Sequence, residues 1–190
     1  MKILIAGGGI GGLVAAISLH KAGHQVHVFE STAEVKPLGV GINLLPHCVR
    51  VLDHLGLLSD LKEIAVETKE LVYANRFGQF FWDEPRGMYA GYKWPQFSIH
   101  RGEFQVMLWN KAVELLGQDR VHSGFHIDSF EQDEQQITAH FINKDDGRLI
   151  HSESGDLLIG ADGIKSQIRK LLYPNEGPVV FSGNVLYRGT

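Results

Sequence analysis

The first thirty residues, Met1 to Glu30, constrain this chain more than any other stretch. Ile3-Leu4-Ile5-Ala6 is a short apolar run with the length and composition of a buried parallel strand. Gly7, Gly9 and Gly12 follow in the G-x-G-x-x-G pattern. Leu13, Ala16, Ile17 and His20 recur at helical spacing, and Gly23 stands where a helix is capped. A second apolar run, Val26-His27-Val28-Phe29, ends on Glu30. The spacing predicts a strand–turn–helix–strand unit of the kind that grips a dinucleotide.

Each part of that unit has a physical reason. Gly7 lets the chain turn sharply off the strand, Gly9 admits backbone close to a pyrophosphate, and Gly12 lets the helix pack tightly on the strand. The unpaired N–H groups of the helix start face the phosphates, with the helix dipole adding to the attraction. Glu30 lies about 20 residues on, where a carboxylate accepts hydrogen bonds from ribose hydroxyls and repels a 2′-phosphate. The competing reading of Glu30 is a solvated acid at a strand end.

Beyond Glu30, Ser31 to Asn43 reads as an extended loop in which Gly39 and Gly41 bracket Val40, so its backbone can approach something flat. Pro46 opens a helix with Val49, Leu52 and Leu55 on its apolar face, and a short helix over Leu58 to Ile64 follows. From Val66 to Ser98 the pattern becomes period two and aromatic, which predicts an antiparallel hairpin belonging to a second, smaller domain. Its Tyr73, Phe80 and Trp82 either pack the core of that small sheet or line a substrate cavity. Arg101 to Leu116 has a helical period. Val121 belongs to a short strand; Phe125–Glu131 and Ile137–Asn143 form a meander turned by residues 144–148. Asp156 to Gly160 is another buried strand, feeding Ala161-Asp162-Gly163 and a helix from about Ser166 to Leu172. Val179 to Thr190 starts an extended run that stops in mid-strand, as in a fragment of a longer chain.

At 190 residues the chain can hold one domain and part of another. Its 18 basic and 22 acidic residues give a net charge of −4 with no clustered cations, which argues against nucleic acid as a partner. No apolar run reaches membrane-spanning length, and the N-terminus lacks a signal-peptide pattern. Cys48 is the only cysteine, so no internal disulfide forms and a reducing, cytoplasmic setting is expected. His20 and His24 are separated by Gly23, and His122 and His126 straddle Gly124. Neither pair has a third ligand nearby in sequence, so no metal is expected.

The block Gly160 to Arg169 separates the remaining readings. A plain NAD-dependent dehydrogenase has no need of a second glycine–aspartate turn after a later parallel strand. Two such loops at one edge of a sheet suit a longer cofactor. With this block the sequence resembles the class A flavoprotein monooxygenases of the para-hydroxybenzoate hydroxylase fold: Asp162, Gly163, Ser166 and Arg169 match the family's D-G-x-x-S-x-x-R position for position. Pro37 to Asn43 looks like the family loop that lies against the isoalloxazine ring, and Ser98 to Gln105 like the helix start whose arginine, here Arg101, contacts the flavin. Glu84-Pro85-Arg86-Gly87, Pro95 to Glu103 and Tyr187-Arg188-Gly189 are similar to the phenazine monooxygenase branch. Lys165 stands where the family frequently has histidine, and the family's third glycine–aspartate motif lies beyond residue 190.

The resemblance implies an α/β fold: a Rossmann-like FAD-binding domain with an inserted β-meander, plus the first strands of a mixed substrate-binding sheet. The FAD-binding domain takes residues 1–65 and 99–177, and the substrate-binding domain 66–98 and 178–190. It further implies an FAD-dependent monooxygenase hydroxylating a small aromatic substrate, an aromatic acid in many relatives. The reductant is NADH or NADPH, and O2 reacts through a flavin hydroperoxide. The cofactor carries that chemistry, so no catalytic side chain is singled out. Cofactor contacts are expected from Gly7, Gly9, Ile10, Gly11, Gly12, Glu30, Ser31, Val40, Gly41, Arg101, Gln105, Phe125 and Asp162. Against these stand plainer roles: a solvent-facing arginine for Arg101, a helix cap for Asp162, a core ring for Phe125. The isolated stretch is expected to be inactive. The competing functional readings are an NAD-binding Rossmann oxidoreductase without flavin and a non-catalytic flavin-binding fragment.

Overall fold

The computed structural model describes residues 1–187. In chain order the elements are β1 (Lys2–Ala6), α1 (Ile10–Lys21), β2 (Gln25–Glu30), β3 (Gly41–Leu44), α2 (Pro46–His54), α3 (Leu58–Ile64), β4 (Ala65–Glu67), β5 (Glu70–Ala74), β6 (Phe80–Pro85) and β7 (Phe97–His100). Then come α4 (Arg101–Leu116), β8 (Val121–Ser123), β9 (His126–Gln132), β10 (Ile137–Ile142), β11 (Leu149–Gly155), β12 (Leu157–Gly160) and α5 (Gln167–Leu172). The chain divides into two compact units, one of Met1–Lys36 with Gln105–Tyr187 and one spanning Pro37–Phe104.

The first unit is built on a parallel sheet of order β12-β1-β2-β8. Side chains alternate between faces along β1. Leu4 and Ala6, with Phe29 of β2, meet Ile127, Ala139 and Phe141 of the antiparallel sheet β11-β10-β9 and Ile168 of α5. Ile3 and Ile5 point the other way, the side on which α1 covers β1 and β2 with its buried Leu13, Ala16 and Ile17. Burying a Leu, Ile or Phe side chain contributes roughly 1.5–3 kcal/mol each, so this sandwich outweighs any local propensity. Phe29 stacks on Phe141 at 4.1 Å and on His122 at 4.9 Å. His27 stands in the same layer with a buried Nδ1 that has no hydrogen-bond partner among the described residues. The turn over 144–148 leads into β11, the strand that completes the meander.

The second unit holds the antiparallel sheet β3-β7-β4, the β5–β6 hairpin and helices α2 and α3, with Val49, Leu52, Leu57, Leu61, Phe97 and Ile99 in its core. Pro46 occupies the first turn of α2, as its fixed φ and missing N–H favour.

Three expectations need correcting. The extended loop to Asn43 ends earlier, because Gly41–Leu44 pairs with β7 as a strand. Tyr73, Phe80 and Trp82 do not pack a core: they are 47%, 78% and 58% exposed. Among the described residues this two-stranded hairpin has one neighbour per strand, and its rings are left largely exposed. The run from Val179 forms no strand through Tyr187, because nothing pairs with it among the described residues. Arg188, Gly189 and Thr190, the end of that run, lie outside the described residues.

Candidate cofactor-binding site

In the first unit the loops after β1, β2 and β12 leave the same edge of the parallel sheet. Ala6 is in register with both Phe29 and Gly160, so Gly7, Glu30 and Ala161 emerge side by side. Gly7 has φ +115°, and a Cβ there would land on the Ala161 carbonyl. Its N–H donates to the Phe29 carbonyl at 2.8 Å, and Ala161 N–H donates to the Ala6 carbonyl at 2.7 Å. Gly12 lies directly over the Gly7 carbonyl, where a Cβ has no room. The two glycine-bearing loops are therefore packed backbone on backbone, as expected of one long ligand lying across both.

Gly9 and Gly11 behave differently: a Cβ at either would meet nothing within 4 Å. Gly9 caps α1 without a side-chain hydrogen bond, and the first intrahelical bond runs from Leu13 N–H to the Gly9 carbonyl at 2.9 Å. The N–H groups of Ile10, Gly11 and Gly12 precede that bond and form the positive end of the helix dipole. Two tight glycines and two open ones fit a cradle for a pyrophosphate.

Glu30 is 9% exposed and its carboxylate accepts several donors. Oε2 takes the Gly8 N–H at 2.7 Å; Oε1 takes Thr32 N–H at 2.8 Å, Thr32 Oγ1 at 3.0 Å and Ser31 Oγ at 3.2 Å. Oε2 carries one protein donor and so keeps acceptor capacity for a ribose hydroxyl. Glu30 is therefore not a solvated strand-end acid. Gly8 is pinned from its other side too, since Gln105 Nε2 donates to its carbonyl at 3.0 Å. Trp109, one turn along α4 from Gln105, closes the remaining space: a Cβ on Gly8 would stand 2.8 Å from its ring. Sequence reasoning passed over Gly8, Thr32 and Trp109. The four-residue spacing of Gln105 and Trp109 was the available signal, one helix face reaching one turn.

Asp162 works through its loop. Oδ1 accepts the Ser166 hydroxyl at 2.6 Å, and Oδ2 accepts the N–H groups of Gln167 at 2.7 Å and Ile168 at 3.2 Å. Ser166 in turn accepts Arg169 N–H at 2.9 Å, and the Arg169 guanidinium ties back to the Ile164 carbonyl at 2.7 Å. The Asp162 and Ser166 side chains are spent on shaping the turn and capping α5, and Arg169 also pairs with Glu176 at 2.8 Å, which leaves backbone to face a ligand. Phe125 packs as a ring on the Phe29 cluster, while its N–H donates to the Glu30 carbonyl at 2.8 Å.

Within the second unit, Val40, Gly41 and Arg101 stand together. Arg101 N–H donates to the Val40 carbonyl at 3.0 Å, Gly41 pairs with His100, and the Arg101 stem runs alongside Gly39. The Arg101 side chain is exposed and makes no ion pair among the described residues. Among the described residues no three His, Cys, Asp or Glu side chains are grouped to hold a metal ion, and no helix is long and apolar enough to cross a membrane.

The chain is similar to known proteins. The FAD binding domain family matches residues 1–181. The chain is 39% identical over 188 residues to the phenazine 1,6-dicarboxylic acid hydroxylase PhzS of Lysobacter antibioticus, covering 98% of this chain and 46% of that protein. It is 33% identical over 191 residues to the 3-hydroxybenzoate 6-hydroxylase of Polaromonas naphthalenivorans, covering 99% and 46%. The crystal structure of Klebsiella pneumoniae HpxO complexed with FAD and uric acid aligns with a TM-score of 0.71 at 29% identity, over 90% of this chain and 41% of that one. The chain thus spans less than half the length of these relatives.

Proposed function

This chain belongs to the FAD binding domain family, and on that premise we propose that it is the N-terminal part of an FAD-dependent monooxygenase that hydroxylates a small aromatic substrate, an aromatic acid among them, with NADH or NADPH and O2. The observation that carries the reading is the pair of backbone-packed loops after β1 and β12, with Glu30 between strand end and glycine turn. When bound, FAD supplies the oxygen activation, after reduction by the nicotinamide. This chain's residues supply position and charge.

In this reading the N–H groups of Ile10, Gly11 and Gly12 hold the pyrophosphate, and the open faces of Gly9 and Gly11 let it come close. Glu30 Oε2 accepts a hydroxyl of the adenosine ribose, and Ser31 and Thr32 orient the carboxylate from its other oxygen. Gln105 holds the turn through the Gly8 carbonyl. The backbone after Ala161, shaped by Asp162, lies along the cofactor, and the backbone beside Phe125 borders the adenine. Val40 and Gly41 offer backbone to the flavin ring, and Arg101, which makes no ion pair among the described residues, brings a cation to its anionic chain. The FAD-binding domain is assigned to residues 1–65 and 99–177 and the substrate-binding domain to 66–98 and 178–190, in a cytoplasmic enzyme.

The test is the colour of the purified chain. Flavin absorption bands, with FAD released on denaturation, are the expected result. Colourless protein that binds NAD and ignores added FAD overturns the proposal in favour of a flavin-free Rossmann oxidoreductase.

A further inference from the structure

We propose that His100 is a positioning residue for the loop over residues 37–41. As a neutral ring with its proton on Nε2, it ties the Gly39 carbonyl to the first turn of α4, and so fixes Val40, Gly41 and Arg101 relative to one another. This role rests on the reading of those three residues as contacts of the flavin end of FAD.

The start of α4 grips the loop residue by residue. Nε2 of His100 lies 3.0 Å from the Gly39 carbonyl oxygen. The Arg101 N–H donates to the Val40 carbonyl at 3.0 Å. Gly102 packs on the backbone of Pro37 and Leu38, where a Cβ has no room. Gly41 is paired with His100 between β3 and β7. Gly39 itself takes φ +132°, a conformation that side chains rarely adopt, so the loop turns at the very residue that the His100 ring holds. The link at Arg101 is a backbone bond and the one at Gly102 is packing. A substitution at position 100 therefore removes the side-chain link and leaves the other two.

The two partners fix the protonation of the ring. Nδ1 lies 3.3 Å from the Glu103 backbone nitrogen; an amide N–H can only donate, so Nδ1 accepts. A carbonyl oxygen can only accept, so the Nε2–H donates to Gly39. Each ring nitrogen thus has one task, Nδ1 as a cap on the first turn of α4 and Nε2 as the strap on the loop. A side-chain amide reproduces one task at a time. Asn places a polar atom where Nδ1 stands and can keep the cap, whereas Gln reaches as far as Nε2 and can keep the strap.

The test is titration of the 190-residue chain and its variants H100N, H100Q and H100A with FAD, followed by flavin fluorescence, and with ADP, followed by calorimetry. H100N and H100A should bind FAD roughly tenfold more weakly than the unsubstituted chain, and H100Q within about threefold of it. ADP affinity should stay unchanged in all three, because ADP reaches only the adenosine end. Long-range proton–nitrogen NMR should show the His100 ring, identified by the signal that H100N lacks, with its proton on Nε2. Full FAD affinity in H100N, H100Q no tighter than H100A, loss of ADP in step with FAD, or a proton on Nδ1 overturns the proposal. H100N and H100Q decide it where H100A fails to fold. An unsubstituted chain that binds ADP and no FAD overturns the flavin reading, and the role of His100 with it.

Discussion

The N–H of Gly8 donates to Oε2 of Glu30 at 2.7 Å across 22 residues of chain, so the acid at the end of β2 also sets the shape of the glycine turn after β1. The residue proposed to read a ribose therefore also holds the turn proposed to cradle the phosphates. Replacing Glu30 by Gln keeps the volume but weakens four acceptor bonds and sets an NH2 group against one of these donors. Hydrogen bonds to a charged group contribute about 1.5–3 kcal/mol, so FAD affinity should drop roughly ten- to hundredfold. Flavin fluorescence quenching on titration measures it.

The four glycines of the turn should divide into two classes. Gly7→Ala and Gly12→Ala push a methyl into backbone and should lower stability by about 1–3 kcal/mol or more. Gly9→Ala and Gly11→Ala place a methyl with no atom of the described residues within 4 Å beyond their own stretch of chain, and Gly11→Ala should even raise the melting temperature, because alanine favours a helix by roughly 0.5–1 kcal/mol. Both should nevertheless lose FAD. Paired thermal melts and flavin titrations of all four variants separate the classes.

Asp162 and Ser166 form one cap, and their losses should not add. Each substitution by Ala should cost about 1 kcal/mol, and the double variant clearly less than the sum, since the Ser166 hydroxyl both donates to Asp162 and accepts from Arg169. Urea unfolding of the two single variants and the double variant closes the cycle.

Stability should decline as pH falls below about 6.5. Burial holds His27 and His122 below the ordinary value of 6.5, with His151 adding to the effect at His122. Lys2 and Arg120 push the same way at His27, while Glu153 opposes at both and Asp119 at His122. The fold thus favours the neutral rings, so their contribution is present in full above the unfolded value and is lost on acidification. Glu153, whose burial is outweighed by hydrogen bonds from Lys2 and His151, titrates below its ordinary 4.5 and acts in a lower window. Melting temperatures between pH 7.5 and 5.5 should fall, and His122→Asn should flatten that slope.

Much of the architecture was legible beforehand because it is local. The helix over Arg101–Leu116 rests on its apolar period, α2 on Pro46, and the turn over 144–148 on its Asp-Gly chemistry. The β5–β6 hairpin was equally plain, yet the place of its rings was not. Whether Trp82 is buried depends on a covering layer, and alternation along a strand reports only that two faces differ. Phe125 turned out to serve the Phe29 cluster with its ring and Glu30 with its N–H, two partners no spacing rule connects.

What the sequence determined by itself was the strand–turn–helix–strand unit and the family it belongs to, because glycine spacing, apolar period and capping act over a few residues and leave a readable pattern. What only the tertiary structure decided was the work of the polar side chains: Gln105 on the Gly8 carbonyl 97 residues away, Glu30 on the Gly8 N–H, Asp162 consumed by its own helix cap. A hydrogen bond depends on two groups meeting at about 3 Å in a set direction, and only a packed core brings together partners so distant in the chain.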